Sequence, residues 1–385
     1  MNQAEVTTAD RTAGRSSRRR QMQALIRPWL TLLFVCALFS VHPVFRTTFW
    51  TREFLPDVVQ QSGRNIVLAV GMSFVVMTGG IDLSVGAVLA LAGVGLAMAV
   101  SRIPAVPTWL ALVAAFPLAF CAAALVRRTL AKRSVSIPIA SVIALFVVLE
   151  AAFGLALAQA LKGGLRVEGA IGFAILIGGA CGLLNGLVVS VGRVPPFVMT
   201  LGMMSAARGL TLYATNSQSV AADFPRLRLL GEGMPLLVIA LAVVAAGSLL
   251  LRRFRAGRYV LAIGGNEQAA RLTGVAVESY KTLAYVLSGL GAAIGAVLVV
   301  AKFGTANTGA GNGAELDAIA AVVIGGTSLS GGQGSILNAL VGALTITVIT
   351  SGLVLVGIEV NLQQVILGGI IVLTVFLDQL RKRNG

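Results

Sequence analysis

The sequence predicts an all-α polytopic membrane protein with about twelve transmembrane helices. Of its 385 residues, 57% are hydrophobic and only 12% are charged, whereas soluble domains carry about one quarter charged residues. Its apolar runs are about 20 residues long, which is the length of a helix that crosses the hydrocarbon core and exceeds that of a barrel strand. Backbone groups inside the bilayer have no water to bond, so these spans are expected to be helices.

Twelve apolar runs are the candidate spans. The first follows a basic stretch, and it is long and has no small-residue cleavage site after it, so it indicates a retained helix rather than a signal peptide. The run at 316–326 is short, and we expect it to cross as a short helix or half-helix. The runs are 27–45, 62–79, 83–101, 108–126, 135–160, 168–190, 196–214, 234–251, 282–301, 316–326, 335–357 and 361–378.

The basic residues predict the orientation of the chain in the membrane. Its net charge of +15 would indicate nucleic-acid binding in a soluble protein, but in a membrane protein Lys and Arg collect in cytoplasmic loops. With twelve spans and a cytoplasmic N-terminus, 20 of the 30 Lys and Arg residues fall in cytoplasmic segments. Both termini are therefore expected in the cytoplasm. Residues 1–25 are expected to form a disordered basic tail, and 26–385 the transmembrane domain.

The residue types needed for catalysis are scarce. His42 is the only histidine, and Cys36, Cys121 and Cys181 all lie inside apolar runs, where they are expected to be small core residues. We expect no catalytic residue, no metal site and no cofactor, and hence no enzyme. No lysine follows a glycine, so the phosphate-binding P-loop is missing and ATP would have to be bound by another subunit.

Two glycine-rich motifs interrupt the apolar runs and are expected on the cytoplasmic side. "GGIDLSVG" at 79–86 and "GGTSLSGG" at 325–332 share a pattern, although an inverted repeat would place them on opposite faces. Interrupted spans often mark a transport site, because irregular backbone is tolerated in a membrane only where it lines a cavity or is buried in protein. The candidates for a translocation path are Asn65, Asp82, Ser84, Asn185, Phe197, Arg208, Asp317 and Ser328.

Several of these polar residues have a second interpretation. Asp82 and Asp317 could each cap a helix, in the case of Asp82 one that opens with Leu83, and capping is favoured over a place in the path. Arg208 could face the path or lie in a helix interface. Glu150 is mid-span, where a charge would need a partner or a proton. Glycines repeated every four residues, at 178, 182 and 186 and at 291 and 295, predict close helix packing.

The cytoplasmic loop at 252–281 is predicted to contain a short helix. Asn266 is a good N-cap, Glu267 suits the first turn, and Gly274 is a good stop, so a helix is expected over 267–273. A helix of two turns is unstable alone, so it should dock on something. A partner protein fits its small apolar face, formed by Ala269, Ala270 and Leu272; the membrane surface is the alternative.

The chain resembles the membrane permeases of ATP-binding-cassette sugar importers of the ribose/xylose type, within a wider group that includes branched-chain amino acid permeases. The resemblance rests on "GGIDLSVGA" (79–87), "GRVPPFVMTLGMM" (192–204), "GRYVLAIGGNEQAARLTGV" (257–275) and "ELDAIAAVVIGGTSLSGGQGS" (315–335). It implies that the loop helix couples to a cytoplasmic ATPase. The implied coupling residues are Gly265, Asn266, Glu267, Ala269, Ala270, Arg271, Leu272 and Gly274.

The resemblance also implies partners, a location and a cargo. The partners would be cytoplasmic ATPase subunits, an extracytoplasmic sugar-binding protein, a second permease copy or close paralogue, and membrane lipid. The loop at 215–233 is expected outside the membrane, as a docking surface for the binding protein or as a plain connector. The location would be the bacterial plasma (inner) membrane. The cargo would be a pentose or hexose, with a branched-chain amino acid or a nucleoside as the alternative. An ion-coupled secondary transporter is the rival mechanism, and the scarcity of intramembrane carboxylates argues against it.

One segment departs from the family that the chain resembles. Ribose-type permeases are about sixty residues shorter and have ten spans. The surplus here lies near 104–165, where two spans are joined by the basic turn "RRTLAKR". We therefore expect a ten-helix permease core with an inserted helix pair.

Overall fold

The computed structural model describes residues 26–51, 54–101, 105–132 and 139–383, so the expected basic tail at 1–25 lies outside the described residues. The helices are α1 (Ile26–Ser40), α2 (Pro43–Thr48), α3 (Phe54–Met77), α4 (Val85–Ser101), α5 (Thr108–Lys132), α6 (Ile139–Lys162), α7 (Val167–Ser190), α8 (Pro196–Thr215), α9 (Pro225–Gly231), α10 (Gly233–Arg253), α11 (Arg255–Gly265), α12 (Glu267–Leu272), α13 (Val277–Phe303), α14 (Ala314–Ile324), α15 (Ile336–Leu355) and α16 (Val360–Arg383). Two strands of two residues each, β1 (Val220–Ala221) and β2 (Thr305–Ala306), pair antiparallel.

Six of these helices are long and apolar enough to cross a membrane. They are α5, α6, α7, α10, α13 and α15, of which α5 and α6 qualify over Thr108–Val126 and Ser141–Lys162. The prediction of an all-α polytopic membrane protein is therefore confirmed, whereas the total of twelve crossings and the orientation of the termini stay predictions. The short run at 316–326 lies in α14, whose 11 residues rise about 16 Å and so cover about half of the hydrocarbon core.

Helix α13 lies at the centre of the bundle, packed against α3, α4 and α7. Its contact with α7 is so close that a Cβ atom added at Gly182 would lie 2.4 Å from the backbone oxygen of Tyr285, and one added at Gly178 would lie 2.4 Å from that of Gly289. The predicted glycine packing is thus confirmed at these positions. Small residues let the two backbones approach, which raises the dispersion attraction between the helices.

Helices α5 and α6 form a pair at the side of this core. Their mutual contact includes Gly154 of α6, which lies directly against Leu112 of α5. Helix α5 also packs on α7. The two spans expected in 104–165 are present as helices, and their status as an insertion into a ten-helix core stays a prediction.

The segment at 215–233, expected as a connector or docking surface, contains β1 and α9. Strand β1 pairs Val220 with Ala306 of β2, just beyond the end of α13. Helix α9 packs against the same end of α13, where Gly231 meets the backbone of Lys302. The segment is therefore anchored to the end of α13 that lies farthest from α12.

Candidate functional site

The predicted loop helix is present as α12, one residue shorter than expected. Asn266 caps it, since its side-chain oxygen accepts a hydrogen bond from the backbone N–H of Ala269 at 2.9 Å. Thr273 follows as the C-cap, and Gly274 adopts a φ of +82°, which a residue with a side chain rarely adopts. Both ends of the helix are thus fixed by local sequence, as the capping signals predicted.

Charged side chains tie α12 to the first two turns of α13. Lys281 donates to Glu267 at 2.6 Å, and Arg271 donates to Glu278 at 2.5 Å and to Glu267 at 3.4 Å. The hydrogen bond from Lys281 lowers the pKa of Glu267 below its ordinary value, with the charges of Lys281 and Arg271 acting in the same direction. These groups are partly exposed, so each pair adds little stability, and the pairs together fix the position of α12 on α13.

The apolar face expected on α12 is only partly available to a partner. Ala270 is 5% exposed and packs against Ile263 and Val277, so it holds α12 on its own chain. Ala269 is exposed, and Leu272 is 88% exposed. The expectation that both alanines would face outward is wrong for Ala270, because a helix of six residues needs one buried side for its own attachment.

The two glycine-rich motifs meet beside the beginning of α12. The N–H of Gly332 donates to the carbonyl oxygen of Met77 at 3.0 Å, and Gly331 lies against Gly79. Gly264, at the end of α11, packs so closely that an added Cβ would lie 1.9 Å from the oxygen of Met77. We call this contact of 77–80, 264–265 and 331–332 the glycine junction. It joins α3, α11 and the loop before α15 through backbone alone.

Asp82 lies in a buried polar cluster in the interior of the bundle. One carboxylate oxygen accepts from the backbone N–H of Ser84 at 2.9 Å and from its hydroxyl at 2.6 Å, and the other accepts from Ser288 at 2.7 Å. Asn185 donates to the Ser84 hydroxyl at 2.9 Å. Helix α4 begins at Val85 rather than Leu83, so Asp82 serves the N–H group just before the helix. No local pattern singles out Ser288, since lone serines are frequent in membrane helices.

A second polar cluster surrounds a cavity of about 370 Å³ between α3, α10, α13, α14 and α15. Asn65 donates to Thr347 at 3.1 Å and accepts two hydrogen bonds from Arg64, at 3.1 and 3.0 Å. Asp317 lines the same cavity. The expected cap at Asp317 is wrong, because the residue lies four positions after the N-cap Gly313 and makes no capping bond. The structure thus brings two path candidates, Asn65 and Asp317, together.

The remaining candidates are dispersed. Arg208 donates to the backbone oxygens of Thr308 and Ala310, at 2.7 and 3.1 Å, and so fastens α8 to the loop before α14. Phe197 is 55% exposed, and Ser328 is buried in the second glycine-rich motif. Glu150 borders an apolar cavity between α4, α5, α7 and α8, and one of its carboxyl oxygens is buried without a partner among the described residues.

Comparison with known proteins gives a family for this arrangement. Residues 148–375 match the family of branched-chain amino acid transport system permease components. The ribose import permease protein of Escherichia coli (strain K12) is 32% identical over 373 residues, which cover 94% of this chain and 97% of that protein. The chain belongs to this permease family.

Other relatives agree with that assignment. The ribose import permease protein of Bacillus subtilis (strain 168) is 32% identical over 84% of both chains. The D-allose transport system permease protein of E. coli (strain K12) is 30% identical over 91% of this chain and 90% of that protein. No solved structure matches the chain. The permease is accordingly a transport protein and not an enzyme, and it is a multi-pass protein of the bacterial inner membrane.

Proposed function

We propose that the chain is the membrane subunit of an ATP-binding-cassette importer that moves a monosaccharide, a pentose or hexose, into the cytoplasm. The support is that relatives aligned over nine tenths of the chain are named as ribose and allose permeases. The chain has no P-loop, so a separate ATPase would supply the energy. A branched-chain amino acid or a nucleoside is the alternative cargo.

The attachment of α12 is the observation that carries the coupling proposal. A stable exposed helix presents Leu272 and Ala269 outward, while Ala270 and the Glu267–Lys281 pair hold it to α13. The glycine junction next to it joins α3, α11 and the loop before α15. A force applied to α12 would therefore be transmitted to α13 through the charged pairs and to α3 through the backbone contacts of the junction. The proposed coupling residues are Gly265, Asn266, Glu267, Ala269, Ala270, Arg271, Leu272 and Gly274.

The proposed importer includes further subunits and a defined membrane topology. Two copies of the chain, or the chain and a close paralogue, would form the transmembrane pathway in contact with membrane lipid. An extracytoplasmic binding protein would deliver the sugar to 215–233, which lies at the end of α13 opposite α12. The chain would cross the membrane twelve times, with both termini in the cytoplasm, and the pair α5–α6 would be an addition to a ten-helix core.

Co-purification tests the proposal. Affinity-tagged permease extracted in mild detergent is expected to bring down a P-loop ATPase, and replacing 267–271 with Gly and Ser is expected to abolish that recovery. Leu272→Ser should weaken recovery at least severalfold. The matched control is Leu229→Ser, because Leu229 is a 66% exposed leucine on α9, at the other end of α13.

The outcome separates the rival mechanisms. Loss of the ATPase together with loss of sugar uptake supports the importer. If uptake survives the replacement of 267–271 and collapses when the proton gradient is removed, the permease is an ion-coupled transporter. Competition of labelled ribose, leucine and a nucleoside for uptake identifies the class of cargo.

A further inference from the structure

We propose that the cavity lined by Arg64, Asp317 and Lys302 is a weak binding site for a monosaccharide within a single permease chain. The proposal rests on the proposed function, because it places the cargo of the importer at a defined point in the membrane domain. It concerns the residues around the space between α3, α10, α13, α14 and α15, which we call the outer cavity. Its volume, about 370 Å³, falls within the usual range of roughly 300–1,000 Å³ for small-molecule pockets.

The outer cavity lies near the end of α13 that is farther from α12. Lys302 lies 21 residues after Lys281 on the continuous helix α13, which corresponds to about 31 Å along the helix axis. Lys281 binds α12, the proposed ATPase contact. The outer cavity is therefore near the opposite face of the membrane, on which an importer receives its cargo.

Arg64 and Asp317 place opposite charges around the outer cavity without direct contact between them. Among the described residues, neither Arg64 nor Asp317 forms an ion pair within 4 Å. The Arg64 guanidinium uses two of its five N–H groups to donate hydrogen bonds to Asn65. The Asp317 carboxylate accepts no hydrogen bond from a described residue. Both side chains are partly buried, and their opposite charges attract each other across the cavity without direct contact. Each group keeps hydrogen-bonding capacity that a polar ligand between them could use.

Hydrogen bonds hold the Arg64 side chain in place. Asn65 accepts from Nε and from one terminal nitrogen of Arg64, while its own amide donates to Thr347 of α15. Thr347 in turn donates to the backbone oxygen of Ala343. A chain of hydrogen bonds thus fixes the guanidinium plane relative to two helices. A fixed guanidinium binds a ligand at a lower entropic cost than a mobile one.

The chemistry of the lining favours a sugar over an amino acid. Besides the charged groups, the amides of Gln60 and Gln61 line the outer cavity, and neither forms a side-chain hydrogen bond to a described residue. A sugar hydroxyl both donates and accepts, so it can pair with an amide, a carboxylate or a guanidinium. The charged groups of a branched-chain amino acid would pair with one cation and one carboxylate of the cavity lining. Its apolar side chain would then face the amides of Gln60 and Gln61 and leave them without hydrogen bonds, which is unfavourable.

Binding by the purified full-length permease in lipid nanodiscs tests the assignment. Saturation-transfer NMR with D-ribose, D-allose and L-leucine is expected to show sugar binding with a dissociation constant on the order of millimolar. Asp317→Asn and Arg64→Gln are each expected to weaken sugar binding about tenfold or more, since each removes a hydrogen bond to a charged group. The control Glu168→Gln removes an exposed carboxylate near the same face of the membrane and should bind as the wild type does.

A second variant covers a loss of folding. If Asp317→Asn or Arg64→Gln lowers the unfolding temperature, the sugar affinity of Thr350→Val tests the site instead. This variant keeps the shape of a lining residue and removes its hydroxyl. It should weaken sugar binding severalfold and leave the protein stable. Wild-type sugar affinity in all three variants overturns the proposal. The proposal is also overturned if leucine displaces a bound ligand that sugars do not displace, because the site would then bind zwitterions.

Transport separates failure of this inference from failure of the proposed function. The wild-type permease, reconstituted with its ATPase and binding protein, should import the sugar, and Asp317→Asn should reduce the import rate while ATP hydrolysis continues. If the wild type imports sugar and the cavity variants match it in KM and kcat, only the outer-cavity site is wrong. If the wild type imports no sugar, the proposed function fails and the site fails with it.

Discussion

Gly182→Ala is expected to destabilise the permease by separating α7 from α13. The added Cβ would lie 2.4 Å from the backbone oxygen of Tyr285 and 2.9 Å from the Cα of Val286. Both atoms belong to the backbone of a long packed helix, so no side-chain rotation relieves the overlap. To reach 3.0 Å, the shortest distance that real Cβ contacts show, the oxygen would have to retreat by 0.6 Å.

The size of the effect follows from two opposing terms. Overpacking of a well-packed interior costs about 1–3 kcal/mol, and the backbone contact places this site in the upper part of that range. Replacing a helical glycine by alanine stabilises the folded state by roughly 0.5–1 kcal/mol. The net loss should be roughly 1–2.5 kcal/mol. Gly172→Ala, in the same helix with nothing within 4 Å of the added Cβ, has only the favourable term.

The assay is thermal unfolding of the two purified variants in the same detergent, followed as the fraction that stays monodisperse. Gly182→Ala should unfold several degrees below the wild type, and Gly172→Ala should match or exceed it. The difference between the two variants isolates the overlap, because the change in residue type is identical. Equal melting temperatures for the two variants would refute the close approach of α7 and α13 on which the central packing rests.

Three further predictions concern α12 and the buried carboxylate of Asp82. Asn266→Ala should destabilise α12 by about 1 kcal/mol and weaken ATPase recovery, and Asn266→Asp should restore recovery, because aspartate also caps. Because Lys281 lowers the pKa of Glu267, the stabilisation from their pair is fully present above the ordinary glutamate pKa of 4.5 and is lost as the pH falls through the lower pKa of the folded state. Amide exchange over 266–274, corrected for the intrinsic rate, should become faster over this pH range, and Lys281→Met should abolish this pH dependence. Ser288→Ala should cost about 1.5–3 kcal/mol, because it leaves an oxygen of buried Asp82 without its donor; a melting temperature equal to that of the wild type would contradict the cluster.

Local signals in the sequence identified α12 well, because they act within a few residues. The cap at Asn266 and the stop at Gly274 depend only on neighbouring backbone groups, and both are present. The orientation of Ala270 could not be found in this way. It depends on packing against Ile263 and Val277, which lie on other helices.

The polar residues show the same division. Asp82 and Asp317 look alike in sequence, each an aspartate near the expected beginning of an apolar helix. Asp82 is paired with Ser84 and Ser288, whereas Asp317 faces a cavity that Arg64 also lines. Since Ser288 and Arg64 are supplied by other helices, no local pattern separates the two aspartates.

The sequence by itself determined the class of this protein. Long apolar runs and few charges establish a helical membrane protein, because the bilayer imposes the same hydrogen-bonding demand on every span. The tertiary structure decided which helices meet. It placed the two glycine-rich motifs in one junction and assembled the outer cavity from α3, α10, α13, α14 and α15. Contacts between distant segments depend on the shapes of whole helix faces, and the order of residues along any one segment does not contain them.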